Sequence, residues 1–369
     1  MSSKRLALFL PRLDDGGAER VMLQLGSSFA RRGHAVDLVL ATSGGPLWSQ
    51  IPPALAVVDL AARRTTTALP DLVRYLRRAR PAALLSTLEH SNVLAVGAAA
   101  IARKIARVST RVVLREANVL LPWRELGDAK ARALRLLMAG AYRGADGVVA
   151  VSDSVARTIV AELKLPEARV RTIYNPIVTD DLATKAESDV DDAWFTPGAP
   201  PVVLGVGRLV AQKDFATLVR AFARVRATRP ARLVILGEGE DRGALEALAR
   251  ELGVADDVRL PGFDHNPFRF MRRAAVFALS SVFEGLPGAL IQAMACGCRV
   301  VSTDCPGGSS EVLEAGRLAP LVSMRDPEAL ARAIAAQLDA AAREGRAKYP
   351  VDRFTEAGAV DAYLNALGV

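Results

Sequence analysis

Two short apolar runs, Val276–Ser280 and Arg299–Thr303, each have the length of a buried strand, and each opens into a glycine-bearing turn ahead of a helical stretch. The first turn carries Glu284, Gly285, Leu286, Pro287 and Gly288, and the helix Ala289–Ala295 follows until Gly297 ends it. The second turn is Asp304–Gly308, with Ser309 as the expected N-cap of the next helix. Strand, helix and strand at this spacing make a parallel βαβ unit. A helix that starts at the carboxyl end of a strand presents free N–H groups and the positive end of its dipole, which suits an anion. Glu284 would stand beside that anion and accept hydrogen bonds from hydroxyls it carries. A phosphate bearing a sugar fits both demands.

The same alternation runs through the chain. Lys4–Pro11 reads as a strand, and the loop with Gly16 and Gly17 leads into a helix with apolar spacing at Val21, Leu23, Leu25 and Phe29. That loop lacks the G-x-G-x-x-G dinucleotide pattern, which argues against a dehydrogenase. Ala82–Thr87 is a buried strand ending at His90, with a helix over Val93–Ile105. Val112–Leu114 is the next strand, and it places Glu116 and Asn118 at a strand end as acceptor-side contacts or loop caps. A basic helix is expected over Leu120–Tyr142, where Leu134, Leu136, Leu137 and Met138 pack inward or meet lipid. Val202–Val206 opens a second sheet, and the loop behind it carries Arg208 and Lys213. Two cations flanking one loop suit a diphosphate. Gly237 and the turn at Gly262 and Phe263 follow later strands. The boundaries expected are an N-terminal domain over 1–178, an acidic, proline-bearing linker over 179–200, a C-terminal domain over 201–351 and a final helix over 352–369. Asp189-Val190-Asp191 has the D-x-D form of a metal site but lies in the linker rather than at a strand end, so no essential metal or other cofactor is expected.

Glu284-Gly285-Leu286-Pro287, the run Gln292–Gly297 and Ser302–Gly308 together resemble the donor site of retaining GT-B glycosyltransferases of family 4. The resemblance covers the whole chain, because the Gly16-Gly17-Ala18-Glu19-Arg20 element and the Arg208/Lys213 pair match the family in order. It implies two doubly wound, Rossmann-like α/β domains facing a central cleft, with the last helix crossing back onto the first domain. It also implies that Gly16 and Gly17 lie by the donor diphosphate, that Gly262-Phe263 presents backbone to the base, and that His90 lies near the reacting sugar. Glu284, Arg208, Lys213 and His90 are then the catalytic set. The family carries a second glutamate eight positions after the first, and this chain has Gln292 there. A glutamine offers one acceptor and one amide donor to a ribose instead of two acceptors.

Composition narrows the reading. Residues 1–186 hold 27 Lys and Arg against 16 Asp and Glu, while the remainder holds 21 against 24. The basic half, with clusters at 74–80, 103–115 and 124–143, suits an anionic membrane, a phosphorylated acceptor or nucleic acid, or is a solvated face. Aromatics make up 5% of residues, too few for stacking on nucleic acid. No apolar run reaches the length of a membrane span, and the three cysteines sit together without an export signal, so a reduced cytoplasmic setting with peripheral membrane contact is expected. The function implied is retaining transfer of a sugar from a nucleotide diphosphate, UDP by default, to a polyprenyl-linked or glycan hydroxyl in envelope polysaccharide or glycolipid synthesis. The alternatives are an epimerase or glycogen/trehalose-type transferase of the same fold, and a non-catalytic nucleotide-sugar sensor.

Overall fold

Seven hydrophobic runs of the first half form one parallel sheet. They are β1 (Arg5–Leu10), β2 (Ala35–Leu40), β3 (Leu55–Asp59), β4 (Ala83–Thr87), β5 (Arg111–Glu116), β6 (Gly147–Ala150) and β7 (Val170–Thr172). The order is β3-β2-β1-β4-β5-β6-β7 in a computed structural model that describes residues 3–14, 16–120, 127 and 129–369. Strands such as β1, buried along Leu6–Leu10, are apolar on both faces because helices cover both sides. The chain winds outward from β1 to β3, returns to β4, and winds outward the other way. Its order therefore reverses between β1 and β4. The carboxyl ends flanking such a reversal are where an open α/β sheet leaves a crevice.

The second half repeats the plan with β8 (Val202–Val206), β9 (Arg232–Leu236), β10 (Val258–Gly262), β11 (Val276–Leu279), β12 (Arg299–Thr303) and β13 (Leu321–Val322). The order is β10-β9-β8-β11-β12-β13, all parallel, and the reversal lies between β8 and β11. Each sheet has its own core, one around Leu8, Leu38 and Leu85 and the other around Leu204's neighbours Val203, Leu233 and Val276.

The compact units are 1–176 with 356–369, and 177–355. The acidic segment expected to be a linker belongs to the second unit, and its charges explain why. Asp192 pairs with Arg259 at 2.7 Å, Glu187 with Arg272 at 3.0 Å and Asp189 with Arg273 at 3.4 Å. Trp194 lies 3.9 Å under the Arg259 guanidinium, and Leu182 is buried. The last helix, Glu356–Leu367, buries Val360, Tyr363, Leu364 and Leu367 in the first unit.

Several element ends differ from the sequence reading. The helix expected from Val93 starts at Glu89, so His90 sits in its first turn, and β5 runs on through Glu116. Gly308 rather than Ser309 occupies the cap position of the short helix Ser309–Val312, and its amide donates to Gly285 O at 3.0 Å. The basic helix is described from Ala129 to Gly144, and residues 121–126 of the expected helix, Arg124 included, lie outside the described residues.

Arg115 fastens the last helix. This guanidinium is 1% exposed and donates to Tyr363 Oη at 3.2 Å, Thr87 Oγ1 at 3.0 Å and Asn175 Oδ1 at 2.7 Å. A buried cation bonded to neutral groups is costly if any acceptor is lost. Tyr363→Ala should therefore lower stability by about 3–5 kcal/mol, the usual cost of truncating a core aromatic, read as an earlier unfolding transition in urea.

Candidate active site

In the second unit the loops that leave β8 and β11 meet at the point of strand reversal. Lys213 Nζ, on the first loop, donates to Glu284 Oε1, on the second, at 2.5 Å. Ser281 Oγ donates to the same oxygen at 2.7 Å. The Lys213 stem lies against Gly207, and the loops are stitched by Ser280 Oγ to Lys213 O at 2.7 Å, Val282 N to Gln212 O at 2.9 Å and Gln212 Nε2 to Phe283 O at 3.0 Å. The side chains are 18% and 8% exposed, so the pair is half-buried and losing one partner strands the other's charge.

The turn after β12 holds Glu284 from the other side. The Glu284 amide donates to Pro306 O at 2.9 Å. Gly307 has φ of 122°, and a Cβ there would fall 1.7 Å from Glu284 O. Only glycine permits that backbone contact. Gly285, Leu286 and Pro287 are buried beneath it, and the helix Gly288–Ala295 begins at once, with Gln292 half-buried just over a turn in. Arg208 is exposed on the β8 loop, and its guanidinium has no partner among the described residues. Gly237 N donates to Gly262 O at 2.8 Å, which joins the turns after β9 and β10. Beyond Gly262, Phe263 is 44% exposed and meets His265 edge-on at 4.9 Å.

Glu284, Lys213, Arg208 and the start of the Gly288 helix thus share one strand-reversal point. Phe263 and Gly262 belong to the edge strand of the same sheet, two strands away.

The first unit has its own reversal point between β1 and β4. Gly16 precedes the helix Gly17–Arg31, and a Cβ on it would lie 2.1 Å from Glu19 Oε2. His90 is exposed just past β4. Between strand and helix, Leu88 holds φ of 74°, a region a non-glycine residue adopts only under tertiary constraint. No local sequence signal marks it.

Glu116 does not line an open edge. It is 3% exposed, accepts from Tyr142 Oη at 2.5 Å and from the Ala117 amide at 3.2 Å, and Asn92 Nδ2 holds the same Tyr142 oxygen at 2.9 Å. Asn118 remains exposed. Burial, the dominant cause, pushes the Glu116 carboxyl up to about 7, and the nearby Glu89 charge adds to it. The sequence reading missed Tyr142 and Asn92, whose spacing and position look like ordinary helix residues.

A carboxyl raised on folding holds its proton more tightly in the native state. The native state is therefore favoured below about pH 4.5, and that advantage is lost as pH rises through about 7. The range corresponds to about 3 kcal/mol. Glu116→Gln should remove that share of the fall, so the gap in denaturation midpoint between mutant and wild type should change across this window. Parallel curves would exclude a raised Glu116.

The chain matches two family models in succession, "Glycosyltransferase Family 4" over residues 15–181 and "Glycosyl transferases group 1" over residues 200–340. It is 30% identical over 232 residues to the N-acetylgalactosamine-N,N'-diacetylbacillosaminyl-diphospho-undecaprenol 4-alpha-N-acetylgalactosaminyltransferase of Campylobacter jejuni, with 62% of this chain and 61% of that protein covered. The chain thus spans about three fifths of that relative's length. It is 28% identical over 363 residues to the lipopolysaccharide core biosynthesis glycosyltransferase LpsE of Rhizobium meliloti, covering 96% of each. Its fold is similar to that of apo WaaB, a lipopolysaccharide outer core galactosyltransferase, at a TM-score of 0.70, 20% identity and 99% coverage of both chains. It is also similar to Anabaena Alr3699/HepE in complex with UDP, at a TM-score of 0.73, 19% identity and 99% coverage of both. The shared architecture is the GT-B fold.

Proposed function

We propose that this chain, which belongs to the group 1 and family 4 glycosyltransferases, moves a sugar from a nucleotide diphosphate to a hydroxyl acceptor and retains the anomeric configuration. The observation that carries this reading is the Lys213–Glu284 pair at the second unit's strand reversal, beside the free Arg208 and the start of the Gly288 helix. An entering diphosphate draws Lys213 Nζ toward its oxygens, and Arg208 supplies the second positive charge. Glu284 is then freed to accept from sugar hydroxyls while Ser281 keeps it oriented. The helix N-terminus and the turn at Gly285–Gly288 add amide dipoles. As the glycosidic bond breaks, charge builds on the leaving diphosphate, and these fixed groups stabilise it without reorganising. Gln292 meets the ribose with one acceptor and one donor, and Gly237, Gly262 and Phe263 take the base side.

Acceptor recognition is assigned to the first unit, with His90 and Asn118 as contacts, and the Gly16-Gly17 loop ahead of its first helix offers backbone amides that suit a phosphate. Uridine as the base draws support from the UDP named in the Anabaena complex. A lipid-linked or glycan acceptor draws support from the diphospho-undecaprenol in the Campylobacter enzyme's name and from the lipopolysaccharide core in LpsE's. With cationic side chains at the leaving group, turnover needs no divalent ion. The basic first half attaches reversibly to anionic membrane where such an acceptor resides.

Lys213→Ala and Arg208→Ala should each cut donor turnover by roughly 10²–10³. Near wild-type rates in both would remove the diphosphate assignment. Activity should persist in excess EDTA, and an α-linked donor should give an α-linked product by proton NMR. Loss on chelation that Mn²⁺ restores, or an inverted product, would overturn the corresponding part of the mechanism.

A further inference from the structure

Two neighbouring strand ends of the first unit gather features that lower stability. β4 and β5 are last paired at Thr87 and Arg115. Among the described residues seven buried side-chain polar atoms lack a hydrogen-bond partner. Three of them, Ser86 Oγ, Ser91 Oγ and Asn92 Oδ1, belong to β4 and the first turn of the helix after it. Leu88, between strand and helix, holds φ of 74°. Glu116 ends β5 as a buried carboxyl that burial pushes up to about 7. Apolar side chains of similar size would avoid most of this cost. Stability therefore does not account for the polar character of this corner, and strain of this kind gathers where a site needs fixed geometry.

The polar groups join three elements. Asn92 Nδ2, on the helix Glu89–Ala106, donates to Arg115 O at 3.2 Å and to Tyr142 Oη at 2.9 Å. Tyr142, on the helix Ala129–Gly144, donates to Glu116 Oε2 at 2.5 Å. Glu116 Oε1 accepts from the Ala117 amide at 3.2 Å, and the Asn118 backbone N–H also favours the charged carboxyl. This line of hydrogen bonds begins in the first turn of one helix and ends in the backbone just after β5. His90 lies in that helix turn and Asn118 just after β5, each the third residue past the last paired position. Both are exposed, whereas Asn92, Tyr142 and Glu116 are at most 3% exposed. The exposed pair can touch a ligand, and the buried three act only through it.

We propose that Glu116, acting through Tyr142 and Asn92, is a positioning residue for the acceptor and sets the spacing between His90 and Asn118. The inference rests on the assignment of acceptor recognition to the first unit. An acceptor must present one hydroxyl to the reacting carbon, and a misplacement of about 1 Å is enough to slow transfer severely. One contact from each strand end fixes the acceptor only when the two ends are fixed to each other. Backbone pairing stops at Thr87 and Arg115, so the buried hydrogen bonds carry the register onward to His90 and Asn118. A phenylalanine at 142 would keep the packing and cut this line at its middle.

Kinetics with the full chain test the role. Octyl glycosides of glucose, galactose and N-acetylglucosamine serve as acceptor probes, with the UDP forms of the same three sugars as donors. Tyr142→Phe should raise the acceptor KM about tenfold, the effect of one lost hydrogen bond, and leave the donor KM as in wild type. Glu116→Gln keeps an oxygen for Tyr142 and Ala117, so its acceptor KM should stay close to wild type. Glu116→Met keeps the volume without the oxygens and should match Tyr142→Phe. Amide NMR spectra should show His90, Ala117 and Asn118 shifting together in Tyr142→Phe. KM does not depend on the fraction of folded protein, so Tyr142→Phe and its spectrum decide the matter even where a Glu116 variant folds poorly. The role is wrong if Tyr142→Phe leaves the acceptor KM unchanged, if acceptor and donor KM rise together, or if Glu116→Gln is as impaired as Glu116→Met. Transfer by wild type to none of the probes would overturn the acceptor reading itself, whereas normal transfer by every variant would overturn the positioning role alone.

Discussion

Lys213 and Glu284 are 71 residues apart in sequence and come from strands that the sheet makes neighbours. Their contact needs the whole topology of the second unit. The chain must leave β8, build β9 and β10 on one side, and return to lay β11 on the other. Only then do two strand ends face each other with loops free to carry charge. The pair also needs rigid surroundings, because a half-buried ion pair gains from its geometry only while its remaining lone pairs are met. Ser281 meets one of them, and the Pro306 carbonyl holds the Glu284 backbone. A glycine at 307 lets the third loop close on it. The apolar strands beneath hold the three loops in the positions these contacts require.

The first unit solves a different problem with similar means. Its last helix arrives from the far end of the chain and must find one seat. Apolar burial of Val360, Leu364 and Leu367 supplies attraction, but burial alone is tolerant of sliding. Arg115 removes that tolerance, since its donors reach Tyr363, Thr87 and Asn175 together only in one register. Asn175 stands one residue before the unit boundary, so the same guanidinium ties the outgoing chain and the returning helix to one strand.

Much of this was legible because glycine, proline and strand-length apolar runs punctuate the sequence strongly. The β11–turn–helix–β12 unit and the positions of Glu284, Arg208 and Lys213 followed from that punctuation, and the family resemblance added the expectation that they share a site. What escaped were features set by long-range partners. The acidic stretch 179–200 has a linker's composition, but arginines near 259–273 supply partners that composition cannot reveal. Glu116 was placed at an open strand end, whereas Tyr142 from a helix 26 residues later closes over it. Leu88 shows nothing unusual in sequence, and its positive φ is imposed by the turn between β4 and the next helix.

The glutamine at 292 acquires a physical meaning once Lys213 and Glu284 are seen paired. Their charges cancel locally, and Arg208 adds a positive charge on the β8 loop. A glutamate at 292 would add a negative charge near this strand-reversal point, and glutamine does not. At an effective dielectric near 20, charges about 4 Å apart interact by roughly 4 kcal/mol, and a neighbouring carboxylate would oppose an incoming diphosphate over a longer reach than a hydrogen bond acts. On the proposed reading, the chain gives up one acceptor toward the ribose and keeps a stronger field for the phosphates. Donor recognition then shifts from the sugar edge of the nucleotide toward its charge.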